Sequence, residues 1–310
     1  MPEFNRFAAV LIKDEATYGV DSIPTGVANA VLCLNDVKIV PLESDRVSRN
    51  LVQFYHGQSQ QLTVGERVKV MFSVEMASAG AAGSALPFGS ALKGCGMSQT
   101  LNAGVDATYA LISSGQVSQV IYFNRGGRRH ILLGARGNLK ASIASGGIPK
   151  WMFEYTGLYG GISDTAIPAQ TLTGFQAPLP VSNANTPTVT VDGFASKLYS
   201  IDWDLKNKIT YRNIPGDQSI YFTDRAPDGT LKIEAPTQAQ KDFYAGIRAG
   251  TIVTTQVIHG VGAGKINQNN FKMQLLDVSE EEVDGLVVYS FPFTLVPTLA
   301  GNDEWNYKAL

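Results

Sequence analysis

Three histidines, His56, His130 and His259, are the side chains best suited to proton transfer or metal binding near neutral pH, and they are scattered. No two of them stand at the spacing of a zinc site or a facial triad. Asp202 and Asp204 lie two residues apart, which on a strand puts both carboxylates on one face. Paired carboxylates can share acid–base work, but no nucleophile or base accompanies these, and strand alternation accounts for both. The text HGVGAGKIN at 259–267 resembles a phosphate loop. That loop needs Gly where His259 stands and Ser or Thr where Ile266 stands, so its Mg²⁺-ligating hydroxyl is missing. No Ser sits in a nucleophile elbow of the form G-x-S-x-G.

Two charge runs remain. RGGRRH at 125–130 is the only basic cluster, and it spans a turn. It suits a phosphate or an acidic neighbour. Without an aromatic stacking platform it reads as a solvated turn or a protein interface. VSEEEVDG at 278–285 is acidic but lacks the alternating oxygen ligands and central Gly of a calcium loop, so it reads as a solvated loop. The two cysteines, Cys33 and Cys95, sit among apolar or small neighbours and read as reduced, buried thiols. No catalytic residue, cofactor or metal site is expected. A β-rich chain with long loops and no site points to a structural or interaction protein.

The elements around these residues are mostly strands. Val68, Val70, Phe72, Val74 and Met76 alternate with Arg67, Lys69, Met71, Ser73 and Glu75, the pattern of a half-buried strand. Nine small residues follow, Ala77 to Ala85, every one Ala, Gly or Ser. Pro87 then starts a short amphipathic helix with Phe88, Ala91, Leu92 and Cys95 on one face, closed by Gly94 and Gly96. Pro236 opens a second helix, with Ala239, Phe243 and Ile247 on one face and Gly250 at its end. The fold class is mainly β with two short helices.

The chain holds 310 residues, 44% hydrophobic and 17% charged, ample for one large or two smaller domains. The net charge of -2 carries no basic field that would advertise nucleic-acid binding. Met1 to Tyr18 carries Glu3, Lys13, Asp14 and Glu15 and lacks an apolar run, so no secretion signal is expected. No run approaches a membrane span. Residues 1–26 read as an N-terminal arm, and 27–162 as a first β domain. Residues 163–187 hold Pro168, Pro178, Pro180 and Pro187 and read as a linker; 188–310 is a second β domain. Ala28 to Val40 reads as a strand pair turning at Asn35-Asp36, and Pro41 to Gly65 as a long connection of functional or interfacial kind. Both halves run strands, loop, Pro-started helix, Gly stop, strands. That shared order suggests two copies of one unit.

The phrases KDEATYGVDSIPTGVANAVL (13–32), AGSALPFGSALKGCG (82–96), GGRRHILLGARGNLKASI (126–143), FEYTGLYGG (153–161) and LYSIDWDLKNKITYRN (198–213) resemble the tail tube, or major tail, proteins of long-tailed, non-contractile bacteriophages. The resemblance implies rings that stack into a hollow tube. Each tube domain would add strands to a continuous inner barrel, with one helix packed on its sheet. The expected partners are other copies of the chain, tape-measure protein and double-stranded DNA in the lumen, and tail terminator and distal tail proteins at the ends. No membrane is involved. The expected location is the virion tail, assembled in the host cytoplasm. Two tube-like β-sandwich halves per chain favour a trimeric ring with pseudo-sixfold symmetry, and a hexamer is the alternative. The competing readings are a tail hub or tip, or a β-sandwich receptor- or carbohydrate-binding module.

Candidate contacts between rings or subunits follow from the same implication. They are Tyr18 in the arm; Arg46, Arg49 and Tyr55 in the long connection; Ala79, Gly80 and Gly83 in the small-residue loop; and Arg125, Arg128 and Arg129 in the basic turn. Deleting Asn5–Asp21 is expected to leave soluble protein that no longer polymerises.

Overall fold

The computed structural model describes residues 7–310. The expected arm begins with residues 1–6, which lie outside the described residues. The first half of the chain holds β1 (Ala8–Asp14), β2 (Ala30–Val31), β3 (Lys38–Ser48), β4 (Gln61–Glu75), β5 (Met97–Asn102), β6 (Asp106–Leu111), β7 (Gln119–Arg125), β8 (Arg128–Ala144) and β9 (Lys150–Asp164). The second holds β10 (Thr188–Val191), β11 (Phe194–Ala195), β12 (Leu198–Asp204), β13 (Asn207–Ile214), β14 (Asp217–Arg225), β15 (Asp228–Glu234), β16 (Ile252–His259), β17 (Asn267–Leu275), β18 (Ser279–Val283), β19 (Leu286–Leu295) and β20 (Trp305–Ala309). Three short helices, α1 (Gly26–Asn29), α2 (Gly89–Gly94) and α3 (Phe243–Ala249), complete the described chain. The protein is mainly β, as its alternation predicts, with the single turn α1 beyond the two expected helices.

Antiparallel pairing builds two layers. The first runs β3-β4-β9-β8-β12-β15-β19-β18. The second runs β5-β6-β20-β17-β16-β10-β11. They touch along one edge, where the end of β17 pairs with the end of β19. Strand β8 serves two neighbours. Its first part pairs with β7, and through β7 with β1 and β2; its last residues, Lys140–Ala144, pair with β12. The switch falls at a bulge near Gly134, where φ is +55 and a Cβ would stand 2.7 Å from the Tyr18 ring. Only glycine fits both demands.

The layers enclose one core that draws on both halves. At its centre Trp151 of β9 meets Trp203 of β12 edge-to-face at 5.7 Å and Trp305 of β20 at 6.0 Å. Trp203 also meets Phe271 of β17 at 5.1 Å. The apolar sides of Val68–Met76 are all buried, as their alternation predicts. Each larger helix closes the core over a matching strand. The carbonyl of Ala91 in α2 accepts from the Tyr155 hydroxyl on β9, while Phe243 of α3 packs on Phe291 of β19 at 5.2 Å. In α3, Asp242 caps the helix by accepting from the Ala245 N–H at 3.0 Å. The helix starts there and not at Pro236, because the residues between make a turn.

Three expectations change in the structure. Residues 8–14 of the expected arm are β1, whose residues 9–12 are buried between β2 and β7. Deleting Asn5–Asp21 would remove a core strand, so it would cost the fold and not polymerisation alone. Ala28–Val40 is no strand pair: β2 joins β1, while β3 joins β4. Pro41–Gly65 is not loop throughout: 41–48 and 61–65 belong to β3 and β4, which run out together as one long hairpin, and 49–60 form its tip. Residues 163–187 cross the surface without entering the sheet after Asp164. They are anchored by buried Val181 and by Phe175, which stacks on Phe88 at 6.5 Å.

Candidate assembly interface

Within the first layer the strand order repeats. The block β3-β4-β9-β8 belongs to the first half, and the block β12-β15-β19-β18 to the second. In both, the first and second strands in sequence are neighbours, the fourth follows, and the third lies at the far edge. The helices α2 and α3 each follow the second strand of their block. The blocks meet where β8 pairs with β12, from Ala144 opposite Ser200 to Lys140 opposite Asp204.

The outer strands of the joined layer, β3 and β18, have no further neighbour among the described residues. The run 278–285, expected as a solvated loop, is therefore mostly edge strand. Three glutamates have low β propensity and hide it. The signal that could have found it is Asp284-Gly285, both with positive φ, the turn chemistry of a tight hairpin.

The face of the layer turned away from the core is polar and several of its charges are paired. Lys140 meets Asp204 at 3.2 Å, Lys232 meets Glu281 at 2.6 Å, and Lys69 meets Glu43 at 2.8 Å. Hydrogen bonds from Lys69 and Arg67 hold the Glu43 carboxyl below its ordinary range. Asp202 and Asp204 share this face, which explains their spacing without catalysis.

The connection between the first two strands of each block projects from the layer. In the second block it is the hairpin β13–β14, folded back on the first half. The Ile220 N–H donates to the Tyr18 hydroxyl at 2.5 Å, Asn207 donates to the carbonyls of Cys95 and Gly137, and Arg67 lies over the Tyr211 ring at 5.3 Å. In the first block it is the distal β3–β4 hairpin, and its tip is bare. Val52 and Phe54 are 102% and 99% exposed, with Leu51 and Tyr55 beside them.

Of the residues expected to contact neighbours, Arg46, Arg49 and Tyr55 sit on this hairpin. Arg46 is opposite Thr63, Arg49 reaches the Gln60 side-chain oxygen at 3.5 Å, and Tyr55 meets Phe54 edge-to-face at 5.0 Å. Leu51, Val52 and Phe54 were missed; an apolar run at the middle of a polar connection was the available signal.

Tyr18 holds β14 within the chain, and its burial raises the hydroxyl pKa. Ala79, Gly80 and Gly83 make contacts within the chain. The Gly80 N–H donates to the Gly264 carbonyl at 2.9 Å, and Gly83 abuts the backbone of Asn102–Gly104. Ala79 packs against the core. The close backbone approach expected of the small-residue loop is made inside the chain.

The basic turn sits at the tip of the β7–β8 hairpin. Arg125 lies over Phe123 at 5.3 Å and Arg129 over Tyr122 at 4.7 Å, and both rings are buried, so they offer no exposed stacking platform. Arg128 stands opposite Arg125 across the turn.

The remaining singled-out side chains are structural. Cys95 is buried and its thiol is pushed up to about 12 by burial; Cys33 is half-buried and both are free. Burial lowers the pKa of His259, whose ring nitrogens pair with the Thr186 hydroxyl and the Leu179 carbonyl, both at 3.0 Å. This histidine ties the crossing segment 163–187 to β16. Below the unfolded value of about 6.5 the unfolded chain takes the proton first, so stability falls as pH drops through that value toward the lower folded one. The melting temperature of the parent is expected to fall more between about pH 7.5 and 5.5 than that of His259→Gln. Equal slopes would show that His259 does not carry the dependence.

Among the described residues, no group of three or more His, Cys, Asp or Glu could hold a metal ion, and no helix is long and apolar enough to cross a membrane. The family model described as phage tail tube protein matches residues 8–295. No curated protein matches the chain.

Proposed function

Because the chain belongs to the phage tail tube protein family, we propose that it closes into three-chain rings that stack into the tube of a long, non-contractile tail. Each chain supplies two blocks, so six surround the axis with pseudo-sixfold symmetry. One observation carries this reading: the order β3-β4-β9-β8 recurs as β12-β15-β19-β18, and the two runs join edge to edge. A layer made by repeating one block removes its bare edges only by closing on itself.

The polar face of the layer lines the lumen. Several of its cations are paired with carboxylates, as in Lys140–Asp204 and Lys232–Glu281. Paired cations release few counterions and grip phosphate weakly, so double-stranded DNA can slide. The tape-measure protein fills the lumen during assembly, and the DNA passes through it on ejection. Tail terminator and distal tail proteins take the two ends. The β3–β4 tip, within Pro41–Gly65, reaches the neighbouring ring. The protein's work is mechanical, with assembly in the host cytoplasm and no reaction of its own.

Native mass of an isolated ring tests the count. Three chains are expected; a ring of six would overturn the two-block reading.

A further inference from the structure

Asp-Gly occurs three times in the chain, at 192–193, 228–229 and 284–285. Such a pair can rearrange with water as the only reagent. The Gly amide nitrogen attacks the Asp side-chain carbonyl carbon. An N–C bond forms there, and the carboxyl oxygen leaves with two protons as water. Water then opens the five-membered imide. Opening at the side-chain carbonyl restores aspartate. Opening at the main-chain carbonyl leaves the backbone running through the former side chain, an isoaspartate with one extra main-chain methylene. No atom is gained or lost overall. Glycine favours the attack because no side chain crowds its nitrogen. The fold decides which pair can reach the attacking geometry, since the Asp side chain and the following peptide must both turn.

We propose that Asp284 is the site at which this chain isomerises to isoaspartate, and that the fold protects Asp192 and Asp228.

The pair at 228 is held on every side. Gly229 lies in strand, opposite Trp203 of β12 and Phe293 of β19. A Cβ on it would stand 2.2 Å from the Asp202 carbonyl oxygen, so this backbone has no room to turn. The Lys206 ammonium also donates to the Asp228 carboxylate.

The pairs at 192 and 284 are near twins. Each follows a valine at the tip of a two-residue hairpin, with Val191 opposite Phe194 and Val283 opposite Leu286. The φ values are +50 and +73 at Asp192 and Gly193, and +52 and +78 at Asp284 and Gly285. The backbones match, so the surroundings make the difference. The Asp192 N–H donates to the Thr254 carbonyl at 2.8 Å. The Lys241 ammonium donates to the Asp192 carboxylate and, at 3.1 Å, to its carbonyl. Turning the side chain or the peptide breaks these bonds. Strand β10 is also backed by β16. Asp284 and Gly285 are exposed, and the Asp284 carboxylate has no ion pair or hydrogen bond among the described residues. Strand β18 pairs with β19 alone. Nothing outside the hairpin resists the turn at 284.

The product has a structural consequence. A two-residue turn that gains a methylene no longer holds Val283 opposite Leu286, so β18 loses its register. The side-chain ties of β18, Lys232 to Glu281 and Tyr244 to Glu280, are exposed and weak. Isomerisation therefore loosens β18, which contributes no fully buried residue, and leaves the core intact. This is a property of the single chain and does not depend on the ring reading.

The full-length chain, kept unassembled, is aged at mildly acidic pH, where the leaving oxygen is protonated. Labelling by isoaspartyl methyltransferase with peptide mapping reads each site. Product is expected at 284, about fivefold more slowly at 192, the measure of an exposed ion pair, and not at 228. Lys241→Met should raise the rate at 192 by up to about fivefold and leave that at 284 unchanged. The aged parent should gain cleavage after Glu280, Glu281 and Glu282 by a glutamate-specific protease. Asp284→Gly keeps a Gly-Gly turn, offers no carbon to attack, and should gain none. No isoaspartate at 284, or faster formation at 192 or 228, would overturn the site. Isoaspartate at 284 without added cleavage would overturn the loosening of β18.

Discussion

Chains carrying Val52→Ser and Phe54→Ser together are expected to fold as the parent does and to form no tubes at concentrations where the parent polymerises. Both side chains are fully bare at the β3–β4 tip, where nothing in the same chain covers them. Burying an apolar side chain of this size is worth about 1.5–3 kcal/mol. Losing two of them at each chain's contact with the next ring raises the concentration needed for assembly by about 100-fold or more. Neither residue touches the core, so the melting temperature should stay within about 2 °C of the parent's. Sedimentation with negative-stain microscopy reads the outcome. Normal tubes from the double variant would remove the tip from the ring-to-ring contact. The corresponding hairpin of the second block, β13–β14, marks the contrast. It occupies the same place in the strand order but is folded against Tyr18, Arg67 and the Cys95 carbonyl of its own chain.

Some of this architecture is legible in the residues alone. Strict alternation from Arg67 to Met76 gave β4 its buried face because one side of that strand meets only core. The turn Gly126-Gly127 marked β7–β8 through glycine chemistry, Pro87 and Gly96 bracketed α2, and Gly250 closed α3. What stayed hidden depended on partners distant in sequence. The stretch 8–14 looks like part of an arm because only the two-residue β2 pairs with it nearby; its main partner β7 comes over a hundred residues later in the chain. Small residues at 77–85 announce close approach but not to what, and Gly264 supplies the answer from the other half. The repeated strand order is the same kind of fact. Similar element order suggested duplication, but only the pairings place β8 against β12 and leave β3 and β18 bare.

Arg225→Met should be the most damaging single change at the rim where the two halves meet. Arg225 ends β14 and is nearly buried. Its Nε donates to Glu304 Oε1 at 2.6 Å, its Nη1 to the Ile112 carbonyl at 2.9 Å, and its Nη2 to Asn302 Oδ1 at 2.6 Å. One guanidinium thus ties the folded-back hairpin to the first half through Ile112 and to the entry of β20 through Glu304. The Glu304 side chain is 3% exposed, and its Oε2 has no hydrogen-bond partner. Arg225 is therefore the charge that makes this buried carboxylate tolerable. Removing one member of a buried pair leaves the other uncompensated and costs about 3–5 kcal/mol. In a chain of this length that lowers the melting temperature by roughly 10 °C. Arg225→Met with Glu304→Met removes both charges and should recover most of the loss, since a buried pair replaced by apolar groups of similar size is often neutral. A single variant as stable as the parent would mean that water reaches Glu304 and that the clamp is weak. A double variant as unstable as the single would place the cost in lost hydrogen bonds to Ile112 and Asn302. The predicted pattern, large loss and then recovery, would make the charge pair the element that keeps β13–β14 folded back while its counterpart at the β3–β4 tip stays free to reach a neighbour.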